Sequence, residues 1–132
     1  MTRVLVVHHD ADMADQEVAS LRRAGYEVSQ CAGPTYGPCP IVHGRPCPAV
    51  DDADVLVYDV WAGGDSDSGR TLIEELREQH PEIPIVLTAP GIELDWVETS
   101  GIHAVVPLVG VATGVRLRSA VELALASVAQ PA

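Results

Sequence analysis

Residues 54–60 read Asp54-Val55-Leu56-Val57-Tyr58-Asp59-Val60, an apolar run with an acid on either side. Val, Leu, Val and Tyr in succession suit a strand covered on both faces, as in a parallel sheet held between helix layers. An acid at the end of such a strand emerges at the carboxyl edge of the sheet, where open α/β folds bind ligands and perform chemistry. Asp59 is therefore the first candidate site residue, and the rest of the chain decides what surrounds it.

Upstream, Val4 to Val7 form a second apolar run that switches at once to His8, His9, Asp10 and Asp12, a buried strand and its exit loop. Asp10 or Asp12 can cap a helix through Ala24, whose apolar positions Ala14, Val18, Leu21 and Ala24 follow helical spacing. Gly25 stops it, and Tyr26, Val28 and Gln30 make a short strand ending at Cys31. Downstream, the Gly63 to Gly69 turn feeds a helix over Arg70 to His80 with Leu72, Ile73 and Leu76 on one face, ended by Pro81. Pro84 introduces the strand Ile85-Val86-Leu87-Thr88-Ala89. A short helix around Leu94 to Ser100, closed by Gly101, precedes a fifth strand near Ala104 to Val109. Thr113 then caps a last helix through Val128, with Val115, Val121, Leu125 and Val128 as its apolar stripe. Strands and helices alternate, and short crossovers force parallel pairing, so a five-stranded doubly wound α/β sheet follows.

The 132 residues suit one domain, 1–132. A net charge of -11, with arginine as the only strongly basic residue type, gives no cationic footprint for nucleic acid or an anionic membrane. Met1-Thr2-Arg3 leads into only four apolar residues, far short of a secretory core or a membrane span, which points to the cytoplasm. No Gly-x-Ser-x-Gly elbow, Walker loop or dinucleotide fingerprint is present, so an enzyme is not expected.

From Ala32 to Val50 the pattern breaks, because Pro34, Gly37, Pro38, Pro40, Gly44, Pro46 and Pro48 punctuate it too densely for a helix. A loop of this length inside a compact domain is usually functional or tied down. Cys31, Cys39 and Cys47 are equally spaced along it, and His43 lies midway between the last two. Three readings stay open: a Cys₃His site for Zn²⁺, or less readily iron; a Cys39 to Cys47 disulfide under oxidation; or three plain thiols. Cys31 also ends the strand expected beside the first, which would bring it near His8, His9 and Asp59 as a mixed pocket.

Taken together, Leu21-Arg22-Arg23-Ala24-Gly25-Tyr26-Glu27-Val28, the Asp54 to Asp59 strand, Pro84-Ile85-Val86-Leu87-Thr88-Ala89 and Gly101 resemble a response-regulator receiver domain of the CheY-like kind, over nearly the whole chain. The resemblance implies a flavodoxin-like sheet in order 2-1-3-4-5, with the Pro/Cys-rich loop in place of the second helix. It implies Asp59 as phosphoacceptor and Thr88 as the hydroxyl that follows the phosphoryl group. It also implies a kinase or output protein as partner, and a homodimer through the last helix and its neighbours.

The sequence departs from this pattern where the chemistry sits. The acid pair that holds Mg²⁺ in the family is replaced by His8 and His9, and two imidazoles serve a hard, oxygen-seeking cation poorly. The family's lysine falls at Leu108 or Val106 and its aromatic switch at Val105. Phosphoryl transfer depends on cations that neutralise charge on the equatorial oxygens, so losing both costs orders of magnitude in rate. The expectation is an atypical receiver acting by protein–protein interaction, in which Asp59 pairs with His8 or His9 and favours the protonated ring. The alternatives are a phosphoacceptor working through Asp59 by an unusual route, and a metal or redox sensor on the cysteine loop.

Overall fold

Alternating side-chain direction divides a strand's apolar residues between two faces, and both faces of the three central strands are buried in the computed structural model, which describes residues 1–33, 39–62, 66–89, 105–112 and 114–129. The strands are β1 (Arg3–Val7), β2 (Glu27–Cys31), β3 (Val55–Asp59), β4 (Ile85–Ala89) and β5 (Val105–Val109). They form one parallel sheet in the order β2-β1-β3-β4-β5. On one face Val4, Val6, Val55, Val57 and Val86 pack with Ala14, Val18 and Leu21 of helix α1 (Ala11–Arg23) and with Leu117, Val121 and Ala124 of the C-terminal helix α4 (Gly114–Ala129). On the other, Leu5, Val7, Leu56, Tyr58, Ile85 and Leu87 pack with Leu72, Ile73 and Leu76 of α3 (Ser66–Gln79). This is the flavodoxin-like architecture expected, with β3 central and buried along its whole length.

Asp10 is the residue that caps α1: its Oδ1 accepts from the backbone N–H groups of Asp12 at 2.9 Å and Met13 at 3.2 Å. The helix stops at Arg23, and Gly25 follows at φ +97°, a conformation that favours glycine. Helix α3 begins at Ser66, four residues before the expected start at Arg70. Ser, Asp and Ser are favoured at helix starts as well as in turns, so composition alone does not separate the two.

The segment from Ala32 to Val50 departs from the expected unbroken loop. It holds a 3₁₀ turn at Pro40–His43 and a one-turn helix α2 at Pro48–Asp51, so a short second helix is present after all. Each opens with a proline, which can start a helix because its missing N–H has no partner there. Ile41 and Val50 are buried, and Cys39 and Cys47 pack against the same cluster. Ile41 and Val50 thus anchor the described part of the segment to the core.

The apolar stripe expected on the last helix is met in part, at Val121 and Leu125. Leu117, Ala120, Val121 and Ala124 face the core, while Val115 is exposed. The helix is apolar on more than one side, and the buried face is the one that meets α1, to which Gly114 N–H is tied through Ser20 Oγ at 2.8 Å. The helix expected around Leu94 to Ser100, Gly101, Ala104 and the Thr113 cap lie outside the described residues.

Candidate functional site

The parallel register sets Asp59 beside Thr88 and Val7 beside both Tyr58 and Cys31, so the residues after β1 meet the ends of β3 and β4. His8 and His9 follow β1 directly and turn towards Asp59. The Asp59 carboxylate is almost fully buried. His9 Nδ1–H donates to Asp59 Oδ2, and His8 Nδ1 lies 3.6 Å from the same oxygen. The two imidazoles stack, with centroids 5.0 Å apart and planes 19° from parallel. His8 Nδ1 accepts the N–H of Asp10 at 3.0 Å, which leaves the proton of a neutral ring on Nε2.

Nε2 points to a residue not singled out in the sequence. Glu17 of α1 is 1% exposed; its Oε2 lies 3.6 Å from His8 Nε2, and its Oε1 has no hydrogen-bond partner. The available signal was its place on the helix: Glu17 sits among Ala14, Val18 and Leu21 on the face that turns inward. Burial, reinforced by the charge of Asp59, pushes its carboxyl up to about 8. Burial also lowers the pKa of His8, outweighing the opposing pull of Asp59. For His8 this reverses the expectation of a ring held protonated by Asp59, because desolvation of the imidazolium costs more than the carboxylate returns.

A cavity of about 200 Å³ opens over these groups, lined by His8, His9, Glu17, Asp59, Trp61 and Thr88 among others. None of the described residues lining it is an arginine, and the chain has no lysine. Leu108, one of the two positions at which the family's lysine falls, is buried next to Thr88 in the β4–β5 register. Arg116, which follows β5, directs its guanidinium to the carbonyls of Val109 at 2.6 Å and Val111 at 3.2 Å. Thr88 Oγ1 turns back to the carbonyl of Tyr58 at 3.5 Å.

The geometry does not suit Mg²⁺. That ion demands near-octahedral oxygen ligands; here two ring nitrogens stand where oxygens are needed, and Asp10 Oδ1 is committed to the cap of α1. Among the described residues the one group of His, Cys, Asp and Glu with three ligand atoms within 4.8 Å of one another is His8, His9 and Asp59.

Cys31, Cys39, His43 and Cys47 do not converge in that way. All three cysteines are free thiols, Cys31 and His43 are exposed, and Cys31 Sγ accepts the N–H of Gly33 at 3.4 Å. A zinc site at these four positions would need a rearrangement of the loop. Cys39 and Cys47 pack against the cluster that holds Tyr58, whose hydroxyl pKa is raised by burial first and then by the negative charge of the cysteines, when ionised, and of Asp59. Cys31 also lines a second hollow with His8 and His9, apart from Asp59.

No family model and no curated protein matches this sequence. Solved structures do match its fold. NtrX from Brucella abortus superposes with a TM-score of 0.75 at 21% identity, over 98% of this chain and 28% of that one. The chain thus spans little more than a quarter of that protein. A response regulator receiver domain protein from Clostridium thermocellum matches with a TM-score of 0.72 at 18% identity, over 96% of this chain and 95% of its own. The chemotaxis protein CheY4 of Vibrio cholerae matches with a TM-score of 0.70 at 21% identity, over 94% and 98%. With the strand order and the placing of Asp59 and Thr88 at the carboxyl edge, these likenesses identify the fold as that of a CheY-like response-regulator receiver domain.

Proposed function

We propose that this chain is a cytoplasmic, non-catalytic signalling module of the two-component type, an atypical receiver that works by docking a kinase or output protein rather than by Mg²⁺-dependent phosphorylation. One observation carries the reading: His9 Nδ1–H donates to the carboxylate that a receiver would phosphorylate, and His8 stands beside it where metal-binding oxygens would be needed. A phosphoryl group placed on Asp59 would meet neither a lysine nor an Mg²⁺ cradle to neutralise it. The acidic composition and the absence of a cationic stripe weigh against nucleic acid as partner. Among the described residues no helix is long and apolar enough to cross a membrane.

The pairing of Asp59 with Thr88 in the β3–β4 register favours a second reading, a phosphoacceptor that has kept its carboxylate and hydroxyl. Incubation with a small phosphodonor and Mg²⁺, followed by intact-mass analysis, separates the two. An unmodified chain supports the docking reading. A stoichiometric phosphoryl adduct, lost in Asp59→Asn, overturns it.

A further inference from the structure

A pocket that offers two imidazoles and a carboxylate selects against Mg²⁺, and the same donors select for something else. We infer that His8, His9 and Asp59 bind a divalent transition-metal ion of the zinc class, with Glu17 as a positioning residue behind His8. Imidazole nitrogen with one carboxylate oxygen suits Zn²⁺, Co²⁺ or Ni²⁺, and three protein ligands leave a coordination position open to water. The inference shares with the docking reading only the pocket's unfitness for Mg²⁺.

One ligand pair is near the spacing such an ion needs, and the closer contact of His9 with Asp59 must open to admit it. Tetrahedral ligands at about 2.0–2.1 Å from zinc stand about 3.3 Å from one another, and His8 Nδ1 lies 3.6 Å from Asp59 Oδ2. Uptake exchanges two existing bonds. His9 Nδ1 gives its proton to solvent and its lone pair to the ion, in place of donating to Asp59. His8 Nδ1 trades the Asp10 N–H for the metal; Asp10 is exposed, so water can take over that N–H.

A second observation points to the same place. Glu17 is buried with Oε1 unpartnered, and it faces the cavity that His8, His9 and Asp59 line. A buried carboxyl with an unpartnered oxygen is costly, and a donor held beside its other oxygen offsets part of that cost. With Nδ1 on the metal, the remaining His8 proton is fixed on Nε2, 3.6 Å from Glu17 Oε2. Metal-bound histidines regularly donate their other N–H to a carboxylate, which sets the ring's orientation and strengthens the ligand. The side chain of His9 is 40% exposed, so the ion has a way in from solvent.

The test uses chelator-stripped full-length protein, titrated with Zn²⁺ by calorimetry and with Co²⁺ by visible absorption, each in excess Mg²⁺. The expected result is one equivalent bound, a Co²⁺ d–d band without thiolate charge transfer, and no displacement by Mg²⁺. His9→Ala, at a half-exposed position where folding is not at risk, and Asp59→Asn should each weaken binding by more than tenfold. Glu17→Gln should weaken it by about tenfold while keeping the same spectrum, as for loss of an outer-shell partner. No binding, binding unchanged in His9→Ala, a thiolate charge-transfer band that places the ion on the cysteines, or displacement by Mg²⁺ would each overturn the assignment. The phosphodonor assay reads a different quantity, so this site can fail while the docking reading stands, and the reverse.

Discussion

Glu17→Gln should make the metal-free protein more stable at neutral pH and remove part of its pH dependence. The folded chain holds this carboxyl at about 8, against an ordinary value of 4.5. Between those values the unfolded chain releases the proton and the folded chain keeps it, so the native state binds more protons and stability falls as pH rises. The contribution is therefore complete below 4.5 and is lost by about 8. At about pH 7 the unfolded state has gained some 2.5 pH units of ionisation, which at 1.36 kcal/mol each amounts to about 3 kcal/mol. Gln has nearly the same shape and no proton to lose, so the variant avoids that cost. His8 works in the opposite direction, since its lowered pKa favours folding above its ordinary 6.5 and withdraws that contribution as pH falls through the folded value. Subtracting the variant's stability from that of the parent cancels most of the His8 part. Urea unfolding at a series of pH values between the two Glu17 limits measures the difference. The reasoning is refuted if the two curves run parallel, or if the variant is less stable near pH 7. The second result would mean that Glu17 is ionised and held by a protonated His8.

Further expectations concern the frame around the site. Arg77→Met should cost about 2 kcal/mol in chemical unfolding, because Nη1 of Arg77 donates to the carbonyls of His80, Pro81 and Ile83 and closes the turn from α3 into β4. Ile41→Ala should cost about 2–4 kcal/mol by the same measurement, since Ile41 is a buried plug by which the proline-rich segment is fastened to the core. Under native conditions a thiol reagent should label one cysteine quickly and two slowly, with mass mapping assigning the fast site to exposed Cys31 and the slow ones to half-buried Cys39 and Cys47. Val115→Asp should leave the melting temperature nearly unchanged, which checks that the apolar stripe of α4 lies on the Leu117 and Val121 side.

How much could be read from the chain alone follows from which forces act locally. The runs Val4 to Val7, Val55 to Tyr58 and Ile85 to Leu87 each demand burial on two faces, and alternation with helices leaves few topologies. Sheet order and the meeting of Asp59 with Thr88 were legible for that reason. The two short helical turns in the cysteine segment were not, because Pro40 and Pro48 break a helix in one position and begin it in another. The stripe of α4 was ambiguous because Val115, Leu117, Val121 and Leu123 surround the helix, and only contact with α1 decides which are covered. The state of His8 depended on how completely it is buried, and no pattern in His8-His9-Asp10 carries that information. The equal spacing of Cys31, Cys39 and Cys47 suggested a chelate, yet spacing along a chain without a fixed turn says little about distance in space.

Charge at the carboxyl edge favours one class of ligand over the other. Asp59, Glu17 and Asp10 all border the cavity, the only imidazole bonded to Asp59 is His9, and no guanidinium lines it among the described residues. Phosphorylation of Asp59 would replace its single negative charge by about two on the phosphoryl oxygens, with no fixed cation to receive the increase. A divalent ion would answer the charge of Asp59 already present, and it would fix the His8 Nε2 proton beside the buried Glu17 carboxyl. Retention of the central carboxylate alongside imidazoles is thus better matched to a cation than to an anion. This ordering is what the metal titration and the phosphodonor assay compare: metal uptake without an adduct fits the pocket's electrostatics, whereas an adduct without metal uptake would require a neutralising group that the described residues do not supply.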